Sequence, residues 1–263
     1  MLRELEKEEM FLTCPKTKKS NDVCLVGAVR ISNTSFFVYK NSEGKVALKS
    51  GKEEKLQKAA VQRMIDLNPS VLQILNRYKI KPVIDTKVLK ELSGGHMNAT
   101  CNVAMGVYAL LPQKLKSLVD EEVVKEAAML HDLGKVLIPS KIINKPAKLN
   151  TKEREIMNIH STLGYELLKT QNIRKEILDL VKYHHQNLKR SGYPNLENTN
   201  LSDIGVQIVS IADKYSALRE TRVYRRKLSR IESLLILYKE VLEGKIHKDV
   251  YYALVDFAEK FDN

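Results

Sequence analysis

Side chains that can bind metal ions recur through the last two thirds of this chain, at spacings too long for one local motif. Each lies in a segment whose apolar spacing predicts a helix. Every histidine except His247 belongs to this set, although the chain contains only six. Side chains that several helices carry to one point predict a buried metal centre. The candidate ligands are His96, His131, Asp132, His160, His184, His185 and Asp213.

The number of these side chains separates a metal site from an ordinary polar core. Burying an unpaired carboxylate or imidazolium is costly, so such groups persist when they are paired, hydrogen-bonded or bound to metal. One histidine on an apolar helix face is most often a hydrogen-bonded core residue. Five histidines and two aspartates in the same setting favour a metal centre. Imidazole and carboxylate without thiolate are typical of iron, manganese or catalytic zinc.

Length and cysteine content limit the class of protein. A chain of 263 residues can bury a core without disulfides. Cys14, Cys24 and Cys101 form no Cys-x-x-Cys pair, which favours a reducing compartment and argues against a structural zinc site. The charged start, Met1 to Met10, does not resemble a signal peptide, and no apolar run approaches membrane-spanning length. We expect a soluble, cytoplasmic protein without a membrane span.

The apolar pattern predicts two modules. Segments rich in β-branched and aromatic residues at Val23–Ile31, Ser35–Lys40 and Lys45–Lys49 indicate a small β-meander. From Glu53 onward the spacing is helical. We therefore predict a mainly α protein, with a small N-terminal α+β module in residues 1–85, for sensing, docking or dimerisation, and a helical domain in residues 86–263.

Several helix boundaries follow from capping residues. Asp120 is suited to begin a helix that Gly134 ends, and Asn150 with Glu153 indicates another helix start. The pair Gly94–Gly95 predicts that His96 lies near a helix start. Three apolar helix stripes carry candidate ligands: Ile156, His160, Leu163 and Leu167; Ile173, Ile177, Val181 and His184; and Val206, Val209 and Asp213.

Positive charge is concentrated beside the last candidate ligand. The chain has a net charge of +12, and the stretch from Lys214 to Arg230 contains seven basic residues but only one acid, Glu220. Such a run is either a solvated helix face or a surface for a polyanion. Because it begins directly after Asp213, we favour a phosphate-bearing ligand.

Ordered motifs across residues 86 to 230 resemble a known family. His131-Asp132-Leu133-Gly134-Lys135 is similar to the HD-x-G-K signature of HD-superfamily metal-dependent phosphohydrolases. His184–His185 followed by Gly192-Tyr193-Pro194 resembles the signature of the HD-GYP branch. The segments Asn144-Lys145-Pro146, Ile211-Ala212-Asp213-Lys214-Tyr215 and Arg222-Val223-Tyr224-Arg225 agree in order and spacing.

The resemblance implies an HD-type helical bundle that cleaves a cyclic dinucleotide, chiefly cyclic di-GMP, to linear pGpG or GMP. It implies that His96, His131, Asp132 and Asp213 hold one metal ion. Asp132 then bridges to a second ion held by His160, His184 and His185. Two cations can share and deprotonate a water and neutralise phosphoryl charge. We expect two divalent transition-metal ions, iron or manganese.

The resemblance also assigns the substrate contacts. Asp132 and Lys135 are the catalytic candidates, and Lys135 can also meet a phosphate oxygen; its alternative role is a helix C-terminal cation. Arg222 and Arg225 match positions that grip the substrate phosphates. Tyr193 belongs to the loop that shapes the pocket edge and is a candidate surface for a protein partner. A homodimer is left open.

Some positions depart from the family pattern. Gln186, Lys189, Arg190 and Ser191 replace, in that order, two acids, a glycine and a variable position, and Leu92 stands where forms with three metals supply glutamate. Leu92 favours two ions. The altered loop keeps two alternatives open: a catalytically weak sensor of the same ligand, and an HD phosphohydrolase acting on another nucleotide or on nucleic acid.

Overall fold

The N-terminal part of the chain contains a β-hairpin. The computed structural model describes residues 24–31, 34–40, 58, 61–85, 87–88, 95–171, 173–196, 203–221 and 226–262. Strand β1, Cys24–Ile31, pairs antiparallel with β2, Thr34–Lys40, and the register shifts between Leu25 and Gly27. The first two strands of the predicted meander are thus present. Its third segment, Lys45–Lys49, lies outside the described residues.

The rest of the described chain is helical, which confirms the prediction of a mainly α protein. Residues 61–67 are helical and precede α1. The helices are α1 Pro69–Arg77, α2 His96–Leu110, α3 Gln113–Lys116, α4 Glu121–Leu130, α5 Ser140–Ile143, α6 Thr151–Asn158, α7 His160–Leu168, α8 Lys175–Tyr183, α9 Asp203–Arg219, α10 Arg230–Leu242 and α11 Lys248–Phe261. A 3₁₀ helix, Leu133–Leu137, follows α4.

Helix α2 lies at the centre of the bundle. It packs against α4, α9 and α11, while α8 packs against both α4 and α7. Met97, Ala104 and Val107 of α2 are completely buried, as are Val209 of α9 and Leu254 of α11. Burial of these apolar faces stabilises the bundle by roughly 25 cal/mol for each Å² removed from water. The same packing sets the positions of the helix ends that carry the candidate ligands.

Capping residues fix several of these ends. The Asp120 carboxylate accepts hydrogen bonds from the backbone N–H groups of Glu122 and Val123 at the start of α4. Asn150 and Glu153 form the reciprocal capping box that begins α6. Each cap satisfies backbone donors that the first helical turn leaves unpaired. Both predicted helix starts are confirmed.

Two boundaries differ from the prediction. Helix α4 ends at Leu130, and Gly134 lies inside the 3₁₀ helix instead of ending α4. A β-carbon at Gly134 would lie 1.9 Å from the carbonyl oxygen of His160, so glycine is required because two backbones approach closely. The stripe from Ile156 to Leu167 is also divided, since α6 ends at Asn158 and α7 begins at His160.

The segment before the predicted domain boundary packs on the helical bundle. Val61, Met64 and Leu75 are buried in the same core as the residues of α2 and α4. The Asn68 side chain begins α1 and donates to both the backbone carbonyl and the carboxylate of Glu166 in α7. The division at residue 85 stays a prediction, with residues 61–85 in contact with the helical body.

None of the helices among the described residues combines the length and the apolar character needed to cross a bilayer.

Candidate metal centre

The structure brings all seven candidate ligands together, six of them from helix ends. His96 is the first residue of α2, and His160 is the first residue of α7. His131 and His184 follow the last residues of α4 and α8, and Asp132 directly precedes the 3₁₀ helix. Asp213 projects from the middle of α9. Helix ends that meet at one point concentrate these side chains without interrupting the surrounding apolar core.

The side chains form two groups. In each group, one ligand atom per residue can be chosen so that these atoms all lie within 4.8 Å of one another. Such spacing allows one cation to be shared within a group. The groups are His96, His131, Asp132 and Asp213, and His160, His184 and His185.

Asp132 lies between the two groups. One of its carboxylate oxygens, Oδ2, is 3.4 Å from His131 Nε2 in the first group. The other, Oδ1, is 3.3 Å from His160 Nε2 in the second group. The Asp132 side chain is 1% exposed, so neither oxygen is satisfied by bulk solvent. A carboxylate in this position can bind a cation in each group.

Three histidines are oriented by backbone carbonyls that precede them: His131 by one of α4, His184 by one of α8 and His160 by one of α6. Each Nδ1 lies within hydrogen-bond distance of the carbonyl oxygen three residues earlier in the chain. A ring that donates a hydrogen bond from Nδ1 leaves Nε2 as the basic nitrogen. Metal-binding imidazoles are commonly oriented by such a hydrogen bond from the nitrogen that does not bind the metal. The pairs are His131 with Ala128 at 2.8 Å, His160 with Met157 at 2.7 Å and His184 with Val181 at 2.8 Å.

The basic nitrogens then face one another. His160 Nε2 lies 3.4 Å from His184 Nε2 and 3.2 Å from His185 Nε2. Lone pairs in such contact repel unless a proton or a cation lies between them. Among the described residues, His131 Nε2 and Asp132 Oδ1 are buried without a hydrogen-bond partner. Buried nitrogen and oxygen atoms of these types that lack a hydrogen-bond partner fit ligands of divalent metal ions.

Burial keeps the second group neutral. Removal from water lowers the pKa of His160 to about 4 and that of His184 to about 3. Burial also lowers the pKa of His185 well below its usual value. Because burial disfavours the imidazolium, these rings are neutral near pH 7 and their nitrogens are free to bind a cation. Metal binding at this group therefore requires little deprotonation.

The first group is charged. Burial alone would lower the pKa of His131, but Asp132 and Asp213 raise it to about 10. Burial opposes ionisation of these two carboxyls, yet Lys135 and His131 lower the pKa of Asp132, and His131 and His96 lower that of Asp213. A cation bound by the same atoms would displace the His131 proton.

Lys135 contacts the Asp132 carboxylate directly. Its Nζ lies 2.5 Å from Oδ2, and its side chain is 21% exposed. The lysine belongs to the 3₁₀ helix, not to α4. Its partner is therefore a carboxylate of the candidate centre. The alternative role, a cation at the carboxyl end of a helix, predicted a partner at the end of α4.

The loop after the paired histidines is closed by one of the residues that depart from the family pattern. The buried Gln186 side chain donates to the Pro194 carbonyl and accepts from the Gly192 N–H. These bonds hold the Tyr193 ring beside His185, with 4.5 Å between the ring centres. Burial and the carboxylates of Asp213 and Asp132 raise the Tyr193 pKa, so the phenol stays protonated.

Three basic residues of the stretch after Asp213 are paired with acids that lie outside the stretch. The ion pairs are Lys214 with Glu240, Arg219 with Asp262 and Arg226 with Glu232. The count of a single acid within the stretch therefore overstated its positive charge. Arg222 and Arg225, the proposed phosphate contacts, lie outside the described residues, as does Leu92.

Sequence reasoning missed one residue at the centre. Both carboxylate oxygens of Glu220 lie close to His96 Nδ1, at 3.0 and 3.1 Å. Glu220 comes seven residues after Asp213, about two helical turns further along the same face, and directly follows the last residue of α9. That spacing could have identified it.

Comparison with known proteins assigns the family. A family model described as HD domain matches residues 96–250, more than half of the chain. The chain belongs to the HD domain family. The ordered HD-GYP motifs and the curated relatives support the HD-GYP branch. Membership implies a divalent metal site, for which the two His/Asp groups provide ligands.

Two curated relatives are phosphodiesterases by name. The chain is 35% identical over 138 residues to the cyclic di-GMP phosphodiesterase response regulator RpfG of Xanthomonas campestris, covering 51% of this chain and 36% of the relative. It is 31% identical over 133 residues to 3′3′-cGAMP-specific phosphodiesterase 1 of Vibrio cholerae, covering 51% of this chain and 31% of the relative. The chain thus spans about a third of the length of these relatives.

A solved structure shares the fold. An HDG"Y"P protein from Bdellovibrio bacteriovorus superimposes with a TM-score of 0.51 at 16% identity, covering 79% of this chain and 64% of that protein. At this identity the likeness concerns the fold alone, and it agrees with the expected HD-type helical bundle.

Proposed function

We propose that this protein is a metal-dependent phosphodiesterase that hydrolyses a cyclic dinucleotide, with cyclic di-GMP as the first candidate and linear pGpG or GMP as the product. The observation that carries the proposal is the convergence of two His/Asp groups on one carboxylate, Asp132. The names of the relatives support the substrate class.

The proposed ligands divide as the two groups do, with Asp132 shared. Two divalent ions, iron or manganese, would when bound lower the pKa of a shared water and neutralise charge on the phosphoryl oxygens. The ligand set of imidazole and carboxylate suits these metals. The protein contributes dry surroundings, since His131, His184 and Asp132 are at most 1% exposed, and electrostatic interactions are stronger there than in water.

Lys135 is proposed to neutralise the substrate phosphate. Its ammonium now contacts Asp132 Oδ2, the atom that also faces the first metal group. When the first group holds a cation, Lys135 would be free to donate to a non-bridging phosphate oxygen. Its partial exposure allows that movement.

Tyr193, Arg222 and Arg225 complete the proposed substrate site. The protonated Tyr193 hydroxyl can donate at the edge of the second metal group. The arginines are proposed to grip phosphates because a guanidinium fork matches two phosphate oxygens. Arg222 follows Glu220, which contacts His96, by two positions in the chain.

A second candidate substrate is 3′3′-cGAMP. The observation that favours it is the presence of three 3′3′-cGAMP-specific phosphodiesterases among the curated relatives. A catalytically weak sensor is the alternative that the altered loop suggested. The Gln186 side chain nevertheless forms hydrogen bonds within this loop, so its replacement of an acid does not leave the loop without contacts. A protein partner at this loop or at the N-terminal module, a homodimer and a cytoplasmic location stay predictions.

The decisive experiment measures hydrolysis and binding on the same preparation. Protein loaded anaerobically with Mn²⁺ or Fe²⁺ is incubated with cyclic di-GMP or 3′3′-cGAMP, and the linear products are separated by chromatography. We expect turnover of at least one substrate, and loss of turnover in Asp132→Asn. Asp179→Asn is the matched control, because Asp179 is also buried but pairs with Lys175 outside the centre. Tight binding without any turnover would favour the sensor.

A further inference from the structure

His96 differs from the other oriented histidines in how its ring is held. His131, His160 and His184 each use a carbonyl oxygen three residues earlier. His96, the first residue of α2, is held in a different way. Its Nδ1 contacts the carboxylate of Glu220 instead.

Two carboxylates therefore hold the His96 ring from opposite sides. Asp213 Oδ1 lies 2.9 Å from Nε2, and Glu220 Oε1 lies 3.0 Å from Nδ1. Asp213 lies within α9, and Glu220 directly follows its last residue about two turns further on, so this helix places both groups. The His96 side chain is 13% exposed and that of Glu220 is 34% exposed. The inner nitrogen faces the metal group, and the outer one faces Glu220.

We propose that Glu220 is the positioning residue for His96: it accepts a hydrogen bond from Nδ1–H and so presents Nε2 to the cation of the first group. This inference rests on the proposed two-metal centre. When Nε2 binds a cation, Nδ1–H is the ring's remaining donor, and Glu220 is the acceptor within reach. A carboxylate in this place also makes the imidazole a stronger ligand.

The position of Glu220 gives it a role that a backbone carbonyl cannot have. It follows Arg219, the last residue of α9, and Arg219 forms an ion pair with Asp262 after α11. The packing of α9 and α11 thus fixes the end of the helix from which Glu220 reaches His96. Weakening this contact is expected to loosen one metal ligand while leaving the others in place.

The test compares metal affinity in Glu220→Ala, Glu220→Gln and the wild type. Metal-free protein is titrated with Mn²⁺, and free ion is counted by electron paramagnetic resonance. We expect Glu220→Ala to weaken one of two Mn²⁺ sites by roughly 10- to 100-fold. Glu220→Gln keeps an acceptor oxygen for Nδ1–H, so most of the affinity should return. Glu240→Ala removes a similarly exposed carboxylate that contacts Lys214 of α9, and should leave both sites unchanged.

A second readout reports the ring itself. In Zn²⁺-loaded protein with ¹⁵N-labelled histidine, the His96 Nδ1–H resonance should be present in the wild type and in Glu220→Gln. It should be lost by exchange with water in Glu220→Ala. Thermal melts of the metal-free variants identify any general loss of folding.

The outcomes separate this inference from the proposed function. A wild type that binds no Mn²⁺ overturns both. A wild type that binds two ions, with Glu220→Ala binding equally tightly, overturns the role of Glu220 alone. Equal losses in Glu220→Ala and Glu220→Gln would also overturn it, because the carboxylate would then act through charge and not by orienting His96.

Discussion

Single hydrogen bonds determine which nitrogen each buried histidine presents. His160 and His184 donate from Nδ1 to backbone carbonyls three residues earlier, so their Nε2 atoms face the centre. Burial lowers the pKa of both rings, to about 4 and about 3, which keeps them neutral. Orientation and neutrality together make these residues ready ligands, because a protonated imidazole cannot bind a cation.

A prediction at this scale concerns Lys135. Replacing Lys135 with Ala should lower kcat by about 100-fold or more, because its charge acts mainly on the phosphoryl oxygens in the transition state. Metal content should stay near that of the wild type, since Lys135 is a cation and not a ligand. Steady-state kinetics and elemental analysis on the same samples measure both effects.

Lys141→Ala is the matched control for Lys135. Lys141 is an exposed lysine six positions further along, in α5. It should leave kcat and metal content unchanged. Unaltered kcat in Lys135→Ala would return this lysine to an ordinary cationic role after a helix.

Residue types alone predicted the seven candidate ligands but not their partners. Histidine and aspartate on apolar stripes are recognisable because their burial is costly unless something compensates it. Glu220 was not recognised, since its value depends on the close approach of α9 to the first residue of α2. The ion pair of Arg219 with Asp262 was not recognised either, because the two residues are 43 positions apart in the chain.

At the scale of elements, the centre depends on where helices stop. His131 follows the end of α4, and the 3₁₀ helix that comes next places Asp132 between the two groups and Lys135 against its carboxylate. The helix starts at Asp120 and Asn150 were predictable because caps are local in sequence. The break at Ile159 was not, because the apolar stripe continues across it and only the packing of the 3₁₀ helix against α7 divides it.

Gly134 provides a prediction for this junction. A methyl group at Gly134 would meet the backbone of His160 at 1.9 Å and the backbone of Gly164 at 2.5 Å. Backbone cannot move aside as a flexible side chain can, so Gly134→Ala should destabilise the protein by about 1–3 kcal/mol or more. It should also weaken metal binding by shifting His160. Chemical denaturation of metal-free protein measures the first effect.

The control uses the other side of the same contact. In Gly164→Ala the added methyl would first meet a side-chain methyl of Val181 at 3.3 Å, a contact that a small shift relieves. Its loss of stability should be clearly smaller. Equal stability in the two alanine variants would mean that the 3₁₀ helix and α7 do not approach as closely as described.

For the whole molecule, the bundle and its charge balance set the surroundings of the centre. The net charge is +12. Lys214 and Arg226 are nevertheless paired with acids of α10, and Arg219 is paired with Asp262 directly after α11. The fold class was predictable from periodicity and from the ordered family motifs. The charge balance was not, because it depends on which helices become neighbours.

The central claim is that one bundle holds two metal ions through a shared Asp132. Elemental analysis of protein purified anaerobically, beside an Asp132→Asn variant, tests it most directly. The account predicts about two iron or manganese ions per wild-type chain and the loss of both together in the variant, since the carboxylate serves both groups. A wild type without metal, or a variant that loses only one ion, would contradict it.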